Sequence, residues 1–406
     1  AALPEVFGTE TKAALDRPEV QALATDPLRA LDNGEDWDLI ILLDGDPTTL
    51  RHNRTRTLEF LQRCRTRMRQ DGILIMRVGV PDTYIGGVGG KLLSVLASTL
   101  KQVFEQLVII PGEDVLLVAG GPQAELTLDH EVLLQRLEQT GLGSSHFAPE
   151  ILPILVDHDR SSDVMTRISL AAVPNTIHDP RAVFLAGGLH EARALPGILP
   201  TIATLEQIDS GLLAATVSGA ILVLFKTAGF SRHGAGATAA TVGFCSMGWW
   251  LLLIASWQST NGSVYSEIGA LTALFMAGVA MGALLASQRA RPERIVPIVL
   301  AAGCFLSVGL ATGLAFFSPT VLIPLFLAGG GLITGAAFPG LARIGSKDRR
   351  RAAGTIFAAD EAGAAVAAIA VGIFVIPWAG LTATAWGIAA LQTAAIASML
   401  LTLRRS

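Results

Sequence analysis

Residues 41–60, ILLDGDPTTLRHNRTRTLEF, run from an apolar strand-like stretch into two carboxylates, a proline and a cluster of arginines and threonines. Acids at the end of a buried strand are placed for chemistry, because ligands of open α/β sheets bind at the carboxyl ends of the strands. Asp44 and Asp46 take that position, and so does Asp26, which closes the strand-like VQALATD at 20–26. Three such acids attract a polyamine, a metal ion or a basic patch of a partner, unless cations of the chain itself neutralise them. Arg51, Arg54 and Arg56 are the cations at hand, and Thr48, Thr49 and Thr57 offer the capping hydroxyls of a rigid turn into a helix. The stretch therefore reads either as a binding loop or as a structural one. A second pair of acids, Asp360 and Glu361, stands in an otherwise apolar segment about two turns past Arg351. Ionisable groups at membrane depth are costly and mark functional positions, as in proton-coupled transport; pairing with Arg343 or Arg351 near the interface is the competing reading.

The elements that must carry these residues alternate along the first 120 positions. After 20–26, PLRAL reads as a short helix, DLIILLD (38–44) as a buried strand and TRTLEFLQRCRTRM (55–68) as an amphipathic helix. GILIMRVGV (72–80) follows as a strand, GGKLLSVLASTLKQVF (89–104) as a helix, and LVIIPG with DVLLVAGG (107–121) as two strands closing the sheet. Repeated βα units with continuous apolar strands predict a parallel sheet covered by helices on both faces.

Composition divides the chain. Of 406 residues, 51% are hydrophobic and 16% charged, and a mean hydropathy of +0.52 is too apolar for an ordinary soluble protein. Residues 1–209 hold 18 of the 30 bases and 29 of the 34 acids, a net of −11, whereas the remainder holds 12 and 5, a net of +7. An acidic soluble head is thus joined to a basic membrane half, and an acidic head argues against nucleic acid. Cys64, Cys245 and Cys304 are scattered packing residues rather than a disulfide or metal framework. His146, His158, His178 and His190 have no metal-ligand spacing. GGVGGK (86–91) departs from the phosphate-loop pattern at Ile85 and Leu92 and reads as a flexible turn before a helix.

The succession RPEVQALATDPLRAL, DWDLIILLDGDP, NRTRTLEFLQRCRTRMRQDGIL and LKQVFEQLVIIPGEDVLLVA resembles spermidine synthases, and more closely their relatives fused to a major-facilitator-like membrane portion. PNTIHDPRAVF (174–184) resembles the segment that closes that family's soluble domain, and GFCSMGWWLLLIASWQ with ALFMAGVAMGALLAS resembles its membrane part. The likeness implies a Rossmann-like α/β head of the S-adenosylmethionine-transferase type (1–125), an extension and linker (126–207) and a helical membrane domain (208–406). It also implies aminopropyl transfer from decarboxylated S-adenosylmethionine or a related nucleoside, with Asp26 at the adenine. The family's Gly-rich loop and ribose-binding acid are not visible, and only about 25 residues precede Asp26, so the head reads as N-terminally incomplete. Aligned on Asp46-Pro47, the family's catalytic aspartate falls on Leu43; Asp44 is one residue late and would face away unless the strand ends or bulges before it. The expectation is a degenerate head serving a membrane complex as a non-catalytic binding or structural subunit, with a membrane-anchored aminopropyltransferase and a polyamine or cation transporter as alternatives.

Seven apolar spans are predicted, at about 208–225, 235–257, 267–288, 295–317, 320–342, 354–378 and 380–402, each near the ~20 residues needed to cross the bilayer. Lys226, Arg232, Arg289, Arg291, Arg294, Lys347, Arg349, Arg350, Arg351, Arg404 and Arg405 fall in the odd loops and at the C-terminus, while the even loops have no base. The positive-inside rule then predicts an inner-membrane protein of bacterial type with a cytoplasmic C-terminus and an extracytoplasmic head.

Overall fold

The computed structural model describes residues 13, 15–23, 25–32, 36–140, 147–194, 204, 232–262, 265–289, 291–316, 319–345 and 349–403. The first predicted span, 208–225, and His146 lie outside them.

The head is built on four strands, β1 Trp37–Leu42, β2 Met68–Val78, β3 Gln106–Ile110 and β4 Val115–Gly120, in the order β1-β2-β4-β3. β1 and β2 are parallel, but β4 is antiparallel to both of its neighbours, so the sheet is mixed rather than all parallel. The cause is local: only residues 111–114 join β3 to β4, too few for a crossover, and a short connection makes an antiparallel hairpin.

The connections β1 to β2 and β2 to β3 each pass through helix: α2 Leu50–Asn53, a 3₁₀ turn Arg54–Arg56 and α3 Leu58–Thr66 in the first, α4 Gly87–Lys101 in the second. Right-handed crossovers running in one direction place both on one face. There Leu74, Met76 and Leu117, each 0% exposed, form one core with Phe60, Leu61, Leu93 and Leu96. The other face is open at its β1 end, where Leu39, Ile41 and Leu43 are 47%, 48% and 65% exposed. The expected cover on both faces is therefore absent there among the described residues. Val164 of α7 His158–Arg167, with Ala182, Leu185 and Ala186 of α8 Arg181–Ala194, shares the head core. Between α4 and α7 lie the short helices α5 His130–Thr140 and α6 Leu152–Leu155.

Residues 20–23, 25 and 26 form no strand: Val20 and Leu23 are exposed, and Asp26 instead accepts the Leu28 N–H at 3.0 Å. Pro27 follows it at the first position of α1 Pro27–Asp32, where its missing N–H costs nothing. The glycines of GGVGGK are likewise not a free turn, since α4 starts at Gly87 and contains the rest.

Five stretches are long and apolar enough to cross a membrane: Ala235–Asn261, Tyr265–Ser287, Val296–Gly313, Val321–Ile344 and Ala353–Ile396. They fit an integral membrane protein. The fifth, 44 residues, covers the last two predicted spans. Its helices, α13 Arg349–Ile369 and α14 Ile376–Leu403, are separated by a π-helical turn, and the backbone breaks again at Gly380, φ +81°. The preceding four are α9 Arg232–Asn261, α10 Tyr265–Ser287, α11 Val296–Phe316 and α12 Pro319–Gly345.

Glycines bring two helix pairs into backbone contact. A Cβ on Gly282 would lie 2.0 Å from the Leu332 carbonyl oxygen and one on Gly335 1.9 Å from that of Val279, joining α10 to α12. Gly243 approaches the Asp360 carbonyl and Gly363 that of Ala240 in the same way, joining α9 to α13. Close backbone approach is how helices associate where lipid removes the hydrophobic drive. Inside the bundle Trp249 donates to Ser307 Oγ (2.8 Å), which donates to Gln392 Oε1 (2.7 Å).

Candidate functional site

The opening stretch folds as a tightly bonded turn. β1 stops at Leu42, so Asp44 escapes the alternation of a strand and reaches the helix that follows. Its carboxylate accepts from Thr55 Oγ1 and Arg56 Nη1, both at 2.6 Å, and its carbonyl accepts from Arg56 Nη2 at 2.8 Å. Arg56 is 0% exposed, and a guanidinium that deep requires an acid beside it. Asp46 Oδ1 accepts the Gly79 N–H at 2.8 Å. The carboxylate sits so close that a Cβ at position 79 would meet Asp46 Oδ2 at 2.2 Å, which explains the glycine in RVGV. Thr49 caps α2 and Thr57 caps α3, whereas Thr48 contributes its backbone N–H, to the Asp46 carbonyl at 2.7 Å. Leu43, where the family resemblance sets a catalytic aspartate, is 65% exposed.

Asp26 is held by Arg54, at 2.5 Å. The same guanidinium donates to the carbonyls of Ser259 (3.1 Å) and Thr260 (2.9 Å) at the C-terminus of α9. The last carbonyls of a helix have no partner within it and carry the negative end of its dipole, so a cation there is doubly favoured. Gly262, φ +86°, lets the chain turn beneath this pair; a Cβ there would meet Arg54 Nη1 at 2.7 Å. A second contact lies at the break in the last apolar stretch. Gly380 interrupts the helix, and the Leu381 N–H that begins the new turn donates to the His178 carbonyl at 2.9 Å. The head thus caps one membrane helix at its C-terminus and another at its restart, and Leu50 packs into the bundle core between head and helices.

No protein-family model matches the chain, and no curated protein matches it at a significant level. The motifs quoted from the sequence are therefore what carries the resemblance.

Asn175, in the segment 174–184, braces the head side of these contacts. Fully buried, it donates through Nδ2 to Asn53 Oδ1 (2.8 Å) and the Arg56 carbonyl (2.9 Å), and its Oδ1 accepts the Ala182 N–H at the start of α8 (3.1 Å). Composition alone does not single out Arg54 or Asn175. Their one signal is polarity, a basic residue in the turn and an asparagine before a proline-bounded helix.

His178 Nδ1 is buried without a partner. Burial holds its imidazole below the ordinary histidine range, and the Glu59 carboxylate pulls weakly the other way. Above the unfolded value of about 6.5 the ring is neutral in both states. As pH falls through that value the unfolded chain takes up a proton that the folded seam refuses, so stability falls. Purified full-length protein is expected to lose more thermal stability between about pH 7.5 and about pH 5.5 than the His178→Gln variant does. Equal losses would dismiss His178 as the source.

Asp360 and Glu361 both lie on α13, Asp360 half-buried against α9 and Glu361 exposed. Among the described residues neither forms an ion pair with Arg343. A groove of about 730 Å³ beside β3 includes Asp129, Asp157, His130 and His158, but Asp129 and Asp157 accept the first N–H groups of α5 and α7 as caps. Among the described residues no three His, Cys, Asp or Glu side chains are grouped to hold a metal ion. Cys64 is 0% exposed in the head core, its thiol pushed up to about 12 by burial, which leaves it unreactive.

Proposed function

We propose that this chain is an integral membrane protein whose spermidine-synthase-like head is non-catalytic and serves as a binding or structural part of a membrane complex. One observation carries the reading: each acid of the putrescine-and-nucleoside edge is already engaged, Asp44 by Arg56 and Thr55, Asp46 by the Gly79 N–H, and Asp26 by Arg54. A base that must take a proton from an amine cannot also neutralise a fully buried arginine without a large cost. The parallel pair β1 and β2, joined through helix, fits the βα arrangement that the resemblance implies. The open β1 face supports the subunit reading, as an apolar face of this kind fits a protein contact.

The seam also bears on orientation. The head touches the bundle at Ser259, Thr260 and Leu381, on the base-free connections. Arg232, Arg289, Arg291, Arg294, Arg343 and Arg349 to Arg351 mark the other end. By the positive-inside rule that basic end is cytoplasmic, which supports an extracytoplasmic head.

The test has two arms. The purified full chain, given putrescine and decarboxylated S-adenosylmethionine, is expected to form no spermidine; formation that disappears in Asp44→Asn would overturn the non-catalytic reading. A cysteine introduced at exposed Glu138 is expected to react with an impermeant reagent in intact cells, and reaction only after lysis would reverse the orientation.

A further inference from the structure

The turn that neutralises its own acids keeps one cation over. Arg54 and Arg56 are engaged by Asp26 and Asp44, whereas the side chains of Arg51 and His52 are exposed and bond to nothing among the described residues. What surrounds them follows from where α2 sits. Leu50 and Arg54, four positions apart and so on one side of the turn, both meet the bundle: Leu50 packs into its core and Arg54 donates to the Ser259 and Thr260 carbonyls. Depth follows from α9. Its apolar stretch Ala235–Asn261, 27 residues, rises about 40 Å, which matches hydrocarbon plus headgroups (~40–45 Å) rather than hydrocarbon alone (~30 Å). Ser259 and Thr260 therefore stand at headgroup level, and Arg51, one helical turn from Arg54, stands there with them. The aromatic residues agree. Trp257, which donates to Glu267 Oε2 at 3.0 Å, and Tyr265, 91% exposed, lie at the same end of α9 and α10, and Trp and Tyr collect at that level of a bilayer. An apolar side chain lies alongside. Leu43, 65% exposed, precedes Asp44, whose carboxylate holds Thr55 and Arg56 of the same turn, while Ile41 and Leu39 stand about 7 and about 13 Å further back along β1.

We propose that the turn 43–52 rests on the leaflet around the bundle, with Leu43 among the upper acyl carbons and the Arg51 guanidinium paired with the phosphate of an anionic phospholipid, His52 beside it as a second donor. One lipid molecule meets both needs of the site, a partner for the unpaired cation and cover for the exposed leucine. An arginine suits the task, because its planar fork matches two phosphate oxygens and its long stem tolerates apolar surroundings while the head stays at the phosphates. The inference rests on the membrane reading of the bundle and goes beyond the subunit reading. It holds in either orientation, since both leaflets present phosphates.

The experiment replaces Leu43 of the full chain by a fluorescent amino acid, or Glu138 on exposed α5 as the control, and places the protein in nanodiscs of mixed phosphatidylglycerol and phosphatidylcholine with one lipid or the other brominated on its acyl chains, where bromine quenches at short range. Quenching is expected at position 43 and not at 138, stronger when the brominated lipid is phosphatidylglycerol. That preference is expected to fall about fivefold in Arg51→Gln, the factor that corresponds to about 1 kcal/mol for one basic side chain at an anionic surface. Absence of quenching at position 43 would put the turn in water or against protein and overturn the proposal, and equal quenching at 138 would show that the turn is no special contact. Quenching at 43 with no lipid preference, or with one indifferent to Arg51→Gln, would refute the phosphate pairing. The subunit reading survives each of these outcomes.

Discussion

Replacing Arg54 by methionine is expected to lower the stability of the full chain in detergent by about 3 kcal/mol, the lower end of the cost of orphaning one partner of a buried ion pair. Three losses coincide. Asp26, 23% exposed, is left without its cation, and the carbonyls of Ser259 and Thr260 lose the donor that closes α9. The seam between head and bundle loses the side chain that spans it. Asp26→Asn is expected to cost less, because Arg54 keeps both carbonyl bonds and remains close to the helix dipole. The double variant should then be little worse than Arg54→Met alone, since most of what Asp26 contributes passes through Arg54. Thermal unfolding of the four proteins measures this cycle. A cost below about 1 kcal/mol for Arg54→Met, or additive single effects, would show that the pair is a surface ion pair of the ordinary weak kind.

Gly335→Leu, and separately Gly282→Leu, are expected to cost about 3 kcal/mol or more each, at or above the upper range for overpacking a well-fitted interior. The reason is geometric. Even the first side-chain carbon would stand 1.9 or 2.0 Å from a backbone oxygen of the facing helix, an obstacle that no rotamer relieves. α10 and α12 must therefore separate along their length, and the contacts made by Gly278 and Gly331 separate with them. Gly387→Ala on α14 is the control, since nothing lies within 4 Å of its Cβ position. There the change should be neutral or stabilising by up to about 1 kcal/mol, the helix preference of alanine over glycine. Equal behaviour of Gly335→Leu and the control would refute the close-packed pair.

Much of the fold was legible from periodicity and composition. Continuous apolar runs placed β1, β2, β3 and β4, an amphipathic pattern placed α3, the run 89–104 placed α4, and apolar stretches near 20 residues placed α9 to α14. The apolar alternation at 20–26 reads as a strand because it has no way to declare that no neighbouring strand receives it. Asp26 and Pro27 begin a helix there instead. Glycine spacing in α10 and α12 was legible as close packing, but not which backbone each glycine meets.

The opening loop shows where local information ends. Three acids, three arginines and four threonines within 41–60 announce a polar turn of high bonding capacity, and that much follows from residue type alone. Which arginine takes which acid depends on where β1 stops and on the depth to which Arg56 sinks, and both are settled by the packing of the core beneath. The contact that joins the head to the membrane helices lies further out of reach, because Arg54 meets the Ser259 carbonyl 205 positions later in the chain. A backbone carbonyl has no sequence signature, and its need for a donor arises only when α9 ends at that point in space. The residues thus determined by themselves that there would be a βα head, apolar spans and an arginine-rich turn. Only the tertiary structure decided that this turn would neutralise its own acids and cap a membrane helix, because burial and helix termini are properties of the assembled chain.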